Sequence, residues 1–333
     1  MTQRRLLTLL CSVALLALTQ GLNSAQASEN TAYSGSSNAS AASNTAPAEA
    51  ANDQNENNIS NPRLSAAAGG RSKFSFYSVF SYLGGSISNP LSSERPNYRG
   101  LDQNQMEYTS LVGSLGIGYR INPAMQARLT TGFEWVMPLH NSLEDTRRNE
   151  TNYQGNRVRI FNVSGISTSL NYTTQTEKRI HATEVGLSLP TTSYWRDIVG
   201  LVGTVSLEHT LIGSFESGFQ PGVTLYIDHS GYVNDNPLDN QNRVRVQNYL
   251  GAYPFVEYQV NDTYGFRAVF GFFEYTRFVG KALSDFERMS SYISMGVNIA
   301  PSKEIWLYPN VQFAPEMATW NNTNVGISMI LNL

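Results

Sequence analysis

From Phe74 to Leu333, apolar side chains recur at every second position in runs of about ten residues, a period of two that predicts strands. In "LGIGYRINPAMQARLTTGF" (115–133), Leu115, Ile117 and Tyr119 alternate with small or polar residues, and the pattern resumes after a short turn. Such runs predict twelve strands, which begin near 74, 109, 125, 158, 180, 199, 218, 247, 264, 290, 304 and 323. The count is least certain between 199 and 230, where Gly and Ser blur the boundaries.

Long and short connections alternate between these strands. The long ones are 84–107, 138–157, 229–246, 275–289 and 314–322, with a shorter one at 190–196; the short ones are 122–123, 173–178, 261–262 and 301–303. The stretch near 210–217 is ambiguous. A soluble sandwich has no reason to place its long loops at one end, whereas a membrane barrel has short turns on one side and long loops on the other.

The two faces of the predicted strands differ in chemistry. One is apolar and uncharged, and its aromatic residues cluster near the short turns (Tyr119, Tyr172, Tyr258 and Tyr264) and toward the long loops (Tyr82, Trp135 and Phe313). Two aromatic levels that bound an aliphatic band are typical of the two interfaces of a bilayer. We therefore predict an all-β fold, an antiparallel up-and-down transmembrane β-barrel over 73–333 whose apolar face contacts lipid.

The opposite face combines small residues with charges, and we expect it to line a lumen. Its glycines leave few bulky groups to close that lumen: Gly116, Gly118, Gly132, Gly251, Gly265, Gly271 and Gly296. The candidate pore-lining residues are Arg120, Arg128, Glu134, Arg159, Glu184, Glu208, Asp228, Glu257 and Arg267, with Lys73 at the start of the first strand. They form either a pairing network that ties the interior together or a polar constriction in a water-filled pore.

The chain resembles bacterial outer-membrane β-barrel proteins of the porin-like kind over about 74–333. The resemblance rests on the loop alternation, an export signal and the alternating C-terminal strand "NVGISMILNL". It implies outer-membrane lipid and the barrel-assembly machinery as partners. In this class the last residue is typically aromatic, and Leu333 departs from that pattern. No narrower family and no substrate follow from the resemblance.

Residues 1–27 read as a signal peptide. Arg4 and Arg5 precede the apolar run "LLTLLCSVALLAL", and Ala25-Gln26-Ala27 matches a cleavage site. Cys11 lies within this run, which argues against a lipoprotein and leaves a cysteine-free mature chain without disulfides. We expect ordinary secretion, although twin arginines also occur in signals for folded-state export.

Residues 28–72 are rich in Ala, Ser and Asn and carry few large apolar groups. Such a segment buries too little surface to offset chain entropy, so we expect it to be disordered. Two alternatives remain: a periplasmic spacer, or a plug that enters the lumen. The spacer is favoured because the segment lacks the bulky or charged anchors of a lodged plug.

The sequence argues against several other functions. Without Arg4 and Arg5 the chain keeps 21 basic against 26 acidic residues, too acidic to hold nucleic acid. His209 lies near Ser206 and Glu208, but in a strand neither shares its face, so no hydrolase is expected from His140, His181, His209 or His229. The Asp- and Asn-rich loop 233–242 lacks the Gly and Glu of a calcium loop. We expect no enzyme and no cofactor.

The sequence thus predicts a channel for the passive diffusion of small polar solutes. Because positive and negative lumen residues balance, we expect only weak ion selectivity. The alternative is a non-conducting barrel that serves as an anchor or presents its loops to a binding partner.

Overall fold

A computed structural model describes residues 59–69, 72–96, 106–139, 161–215, 217–238 and 244–333. Twelve antiparallel strands form one sheet, which closes on itself as a barrel. They are β1 (Phe74–Ser86), β2 (Ser110–Asn122), β3 (Met125–Val136), β4 (Phe161–Gln175), β5 (Arg179–Pro190), β6 (Leu201–Gly213), β7 (Phe219–Tyr232), β8 (Val246–Gln259), β9 in two pieces (Tyr264–Gly271 and Phe273–Phe278), β10 (Tyr292–Ser302), β11 (Ile305–Phe313) and β12 (Asn324–Asn332).

Smaller elements lie in the connections at the long-loop end. A short hairpin pairs Glu94–Pro96 with Met106–Tyr108, and Glu287–Arg288 pairs with the second piece of β9. A π-helical turn covers Tyr194–Ile198, and a 3-10 turn covers Pro315–Met317. No helix among the described residues is long and apolar enough to cross a membrane.

The barrel closes where the first strand meets the last. Tyr77 on β1 lies opposite Asn332 on β12, and Phe76 and Leu333 exchange backbone hydrogen bonds of 2.6 and 2.9 Å. The predicted number of strands is confirmed, and the ambiguous stretch resolves into the end of β6 at Gly213 and the start of β7 at Phe219. Closure leaves the sheet without an unpaired edge, as a membrane-spanning sheet requires.

The outer face of the barrel is an exposed apolar belt. The exposed fraction of the side chain is 66% for Phe74, 58% for Ile117 and 58% for Phe266, whereas the inward Arg128 and Glu257 are only 3% and 2% exposed. A soluble protein does not present continuous apolar surface on this scale. The predicted assignment of faces is therefore confirmed, and the fold is that of an outer-membrane-type β-barrel.

The inward glycines do not simply widen the lumen. A Cβ on Gly116 would lie 2.0 Å from the carbonyl oxygen of Leu129, and one on Gly296 would lie 2.1 Å from that of Pro309. These glycines permit close approach of neighbouring backbones. The expectation that few bulky residues face inward is also wrong, because aromatic side chains point into the barrel, among them Tyr77, Tyr226, Tyr249, Tyr253, Phe255, Tyr292, Trp306 and Tyr308.

A short helix, α1 (Pro62–Ala68), lies inside the barrel. Asn61 caps its N-terminus, Pro62 occupies the first turn, and the amide of Gly69, with φ +74°, donates to the carbonyl oxygen of Ser65 at 2.9 Å. These are standard start and stop signals for a helix. For residues 59–69 the expectation of a disordered spacer is wrong, because the barrel interior supplies partners that the isolated segment lacks. Residues 28–58 lie outside the described part of the chain.

Candidate functional site: the plugged lumen

Residues 59–69, hereafter the plug, are held at their C-terminal end by inward side chains of three strands. Arg120 on β2 donates to the carbonyl oxygens of Ala68 at 2.9 Å and Gly69 at 2.6 Å. Arg128 on β3 and Asn332 on β12 both donate to the carbonyl oxygen of Ala67, at 2.6 and 2.8 Å. The last carbonyls of a helix lack intrahelical partners and carry partial negative charge, so cationic donors suit them.

The N-terminal end of the plug contacts other parts of the wall. The amide of Asn61 donates to Gln220 on β7 at 2.9 Å. Ser60 and Gln175, at the end of β4, exchange two hydrogen bonds of 2.6 and 2.7 Å. Because Gln175 and Gln220 lie beside short turns on strands far from β12, the plug crosses the lumen at the short-turn end.

Apolar contacts also hold the plug against the wall. Leu64, 4% exposed, belongs to a buried cluster with Tyr253 and Phe255 on β8, and Ala66 belongs to a second cluster with Tyr77 and Trp306. Complete burial of one leucine side chain contributes roughly 1.5–3 kcal/mol. The plug is therefore bound by both polar and apolar contacts.

Four of the lumen charges form two ion pairs. Arg128 on β3 contacts Glu184 on β5 at 2.5 Å across the intervening β4, and Arg267 on β9 pairs with Glu257 on β8. Arg63 of the plug is attracted electrostatically to Glu257 and Glu208. Buried charges need such partners, because an isolated ion is expensive to desolvate.

The candidate pore-lining residues have different environments. Arg120, Arg128, Glu134, Glu184, Glu257 and Arg267 point inward and are buried, and Glu208 and Asp228 point inward and are half-buried. Lys73 is exposed at the rim, and Arg159 lies outside the described residues. The structure thus brings Arg120 and Arg128 to one end of the plug and places Glu208 and Glu257 near Arg63.

The inner wall has two chemically different halves. The inward faces of β2–β6, as far as the structure describes them, carry no aromatic side chain, whereas the inward aromatic residues named above lie on β1, β7, β8, β10 and β11. Ser167, Ser188, Glu208 and Asp228 point inward yet remain partly exposed. Beyond the plug, these inward residues are therefore accessible to water along the polar part of the wall, and the region they line is hereafter called the vestibule.

The structure does not bring His209 together with Ser206 and Glu208. His209 Nδ1 lies 2.9 Å from the Thr183 hydroxyl, and both side chains are on the outer face, whereas Ser206 and Glu208 point inward. No group of three or more His, Cys, Asp or Glu residues in the described ranges could hold a metal ion. Residues 239–242 of the Asp- and Asn-rich loop lie outside the described ranges. His140 also lies outside them.

Sequence reasoning missed Arg63 and Trp306. Arg63 lies in a segment whose average composition masks a helix, although Asn61, Pro62 and Gly69 are recognisable boundary signals. Trp306 gives no distinct signal, because an aromatic residue on the inner face of a strand does not stand out from the apolar pattern of the outer face. The period of two in β11 puts Trp306 on the inner face together with Tyr308.

The sequence comparisons identify no family. No family model matches the chain, and no curated protein matches it either. Among solved structures, an outer membrane channel from Pseudomonas putida F1 has a TM-score of 0.49 at 14% identity, covering 79% of this chain and 96% of its own.

Two further structures show a similar distant likeness. A NanC porin has a TM-score of 0.40 at 8% identity, covering 78% of this chain and 97% of its own. The toluene transporter TbuX of Ralstonia pickettii has a TM-score of 0.38 at 13% identity, covering 78% of this chain and 77% of its own. The likeness is one of fold.

Proposed function

We propose that this protein is an outer-membrane channel for small polar solutes that is closed at rest by the plug. The observation that carries the proposal is the combination of a polar vestibule with a separate chain segment that fills the lumen at the short-turn end. A passive pore needs a water-accessible polar path, and here that path is interrupted by a short helix bound through side-chain contacts. Displacement of this helix would join the vestibule to the other side of the membrane.

The manner in which the plug is held supports a movable seal. Besides its N-terminal and apolar contacts, four side-chain donations to Ala67, Ala68 and Gly69 hold it. None of these contacts is a backbone pairing of the sheet, so no strand has to unpair for the plug to leave. A non-conducting anchor is the rival function. An anchor would be served as well by an interior filled permanently with side chains, as in eight-stranded barrels.

Export and orientation belong to the same proposal. The signal peptide at 1–27 delivers the chain to the periplasm, and the assembly machinery inserts it with the short turns on the periplasmic side. The plug and the strand termini Phe74 and Leu333 then lie on that side, and the long loops face outward. Lumen charges of both signs support weak discrimination between small cations and anions once the channel is open.

Single-channel recording in a planar bilayer tests the proposal. The wild type should show rare, brief openings, and deletion of 59–69 should give long ohmic steps with a small reversal potential in a KCl gradient. Deletion of 35–45, which has the same length and comes from the Ala/Ser/Asn-rich segment, is the matched control and should leave the wild-type record unchanged. Silence of both the wild type and the 59–69 deletion would favour the anchor.

A further inference from the structure

Arg63 occupies a defined position inside the barrel. Its side chain is buried, with the residue only 3% exposed, and the guanidinium carbon lies 5.8 Å from the centroid of the Trp306 ring. Arg267 on β9 repels it electrostatically, whereas Glu208 on β6 and Glu257 on β8 both attract it. A cation over an indole face with carboxylates nearby is a favourable arrangement in a desolvated site.

The three groups that attract this guanidinium belong to the wall and not to the plug. Trp306 is on β11, Glu208 on β6 and Glu257 on β8, so their backbone positions are fixed by the sheet whether or not the plug is bound. Glu208 is half-buried and borders the vestibule. A solute in the vestibule can therefore reach the Glu208 carboxylate, whereas Trp306 and Glu257 are buried while the plug is bound.

The contacts of Arg63 are of a kind that another cation could replace. Within the described residues, its Nε and Nη1 atoms are buried and have no hydrogen-bond acceptor, and one oxygen of Glu257, Oε2, is buried without a donor. The guanidinium is thus held by charge and by the ring face, without the two parallel hydrogen bonds of a fixed arginine–carboxylate pair.

We propose that Trp306, Glu208 and Glu257 form a binding site for an organic cation, a guanidinium or ammonium group on a short apolar stem, which Arg63 occupies while the channel is closed. A cationic solute that reaches the site from the vestibule competes with Arg63 and so favours release of the plug. The proposal rests on the proposed channel for this opening role, whereas the binding site itself does not depend on conduction.

The charge at the site favours a cation over an anion or a neutral solute. Arg267 lies in the same cluster, but it pairs with Glu257 and its guanidinium carbon lies 4.7 Å from the centroid of the Phe255 ring. When Arg63 leaves, Arg128 and Arg267 still attract Glu208, but each is already paired with another carboxylate, Glu184 or Glu257. The apolar cluster of Ala66, Tyr77 and Trp306 loses a plug residue at the same time and can accept an apolar stem.

Chemical complementation of Arg63→Ala tests the site. Ethylguanidinium, which restores the missing cation, should bind the purified variant saturably and change its tryptophan fluorescence, at least about tenfold more tightly than neutral ethylurea. In the Arg63→Ala background, Glu208→Gln should weaken the binding of ethylguanidinium about tenfold. Trp306→Phe in the same background should remove the fluorescence change. Wild type should bind more weakly than Arg63→Ala, because Arg63 competes.

Equal binding of ethylurea and ethylguanidinium, or unchanged affinity after Glu208→Gln, would overturn the proposal. If Arg63→Ala does not fold, the 59–69 deletion provides the same empty site in a barrel that keeps its whole wall, and the same titration applies to it. Because fluorescence reports binding in detergent, a binding-competent but electrically silent protein would refute the channel and leave the site established.

Discussion

Arg120 on β2 donates a hydrogen bond of 2.9 Å to the carbonyl oxygen of Ala68, the last residue of α1. The same guanidinium nitrogen also contacts the carbonyl oxygen of Gly69, so one lumen arginine satisfies two carbonyls at a helix end. Arg120 is therefore a partner of the plug in the closed state. Its effect on conduction should appear first in how often the channel opens.

Removal of the Arg120 side chain should loosen the plug. Hydrogen bonds from a charged group contribute about 1.5–3 kcal/mol each, so Arg120→Met should raise the open fraction at least about tenfold. Single-channel recording measures this fraction. Arg179→Met, at an exposed position beside a short turn, is the control and should behave as wild type. An unchanged open fraction in Arg120→Met would show that these bonds do not hold the channel closed.

An added charge should destabilise the barrel more on the lipid-facing belt than on the inner wall. Ile117→Arg should cost about 2–4 kcal/mol if the residue lies near the bilayer midplane, because the new cation would face hydrocarbon. Ser188→Arg adds the same group to the partly exposed inner wall and should be mild. Unfolding of the barrel by denaturant in lipid vesicles compares the two. Equal cost would mean that the faces are wrongly assigned.

Gly116→Ser should destabilise the barrel although Gly116 faces the lumen. The added Cβ would meet the backbone of β3, with the carbonyl oxygen of Leu129 at 2.0 Å. We therefore expect clear destabilisation from this substitution despite its inward position, measurable in the same unfolding experiment. A neutral result would mean that β2 and β3 can separate locally without loss of stability.

The pair of Glu257 and Arg267 should show the cost of an unpaired buried charge. Glu257→Met should destabilise the barrel by about 3–5 kcal/mol, because the Arg267 cation remains in the interior. The double variant Glu257→Met with Arg267→Met should recover much of that loss, since neither charge is then buried. A double variant as unstable as the single one would show that the two side chains act independently.

Orientation can be tested with single cysteines, since Cys11 in the predicted signal peptide is the one cysteine of the sequence. Leu283→Cys, in a long connection where the leucine is 82% exposed, should react with a membrane-impermeant maleimide on intact cells. Glu177→Cys, in a short turn, should react only after the outer membrane is opened. The reverse pattern would invert the proposed topology.

The strands were predictable because their signal is local. Alternation with a period of two is visible within each strand, and the predicted starts at 74, 125 and 264 coincide with the observed ones. Which residues face lipid follows from the same alternation once the loop asymmetry identifies a membrane protein. Strand order required nothing further, because chain neighbours pair all round the barrel.

The plug was not predictable from composition, because its partners are distant in the chain. Ser60 bonds to Gln175, and Ala67 bonds to Asn332, at separations of 115 and 265 residues. An Ala- and Ser-rich stretch buries little surface by itself and becomes ordered through these contacts. The alternation predicts that the lumen charges face inward, but it cannot show that Arg120 and Arg128 bind the plug, because those contacts are long-range.

The most direct test of closure by the plug is a reversible cross-link at its N-terminal end. Ser60 and Gln175 are already joined by hydrogen bonds of 2.6 and 2.7 Å, so Ser60→Cys with Gln175→Cys can be bridged by a short bifunctional thiol reagent that a reductant cleaves. In a planar bilayer, the cross-linked protein should lose the openings of the untreated variant and regain them after reduction. Openings that persist with the cross-link intact would contradict the account.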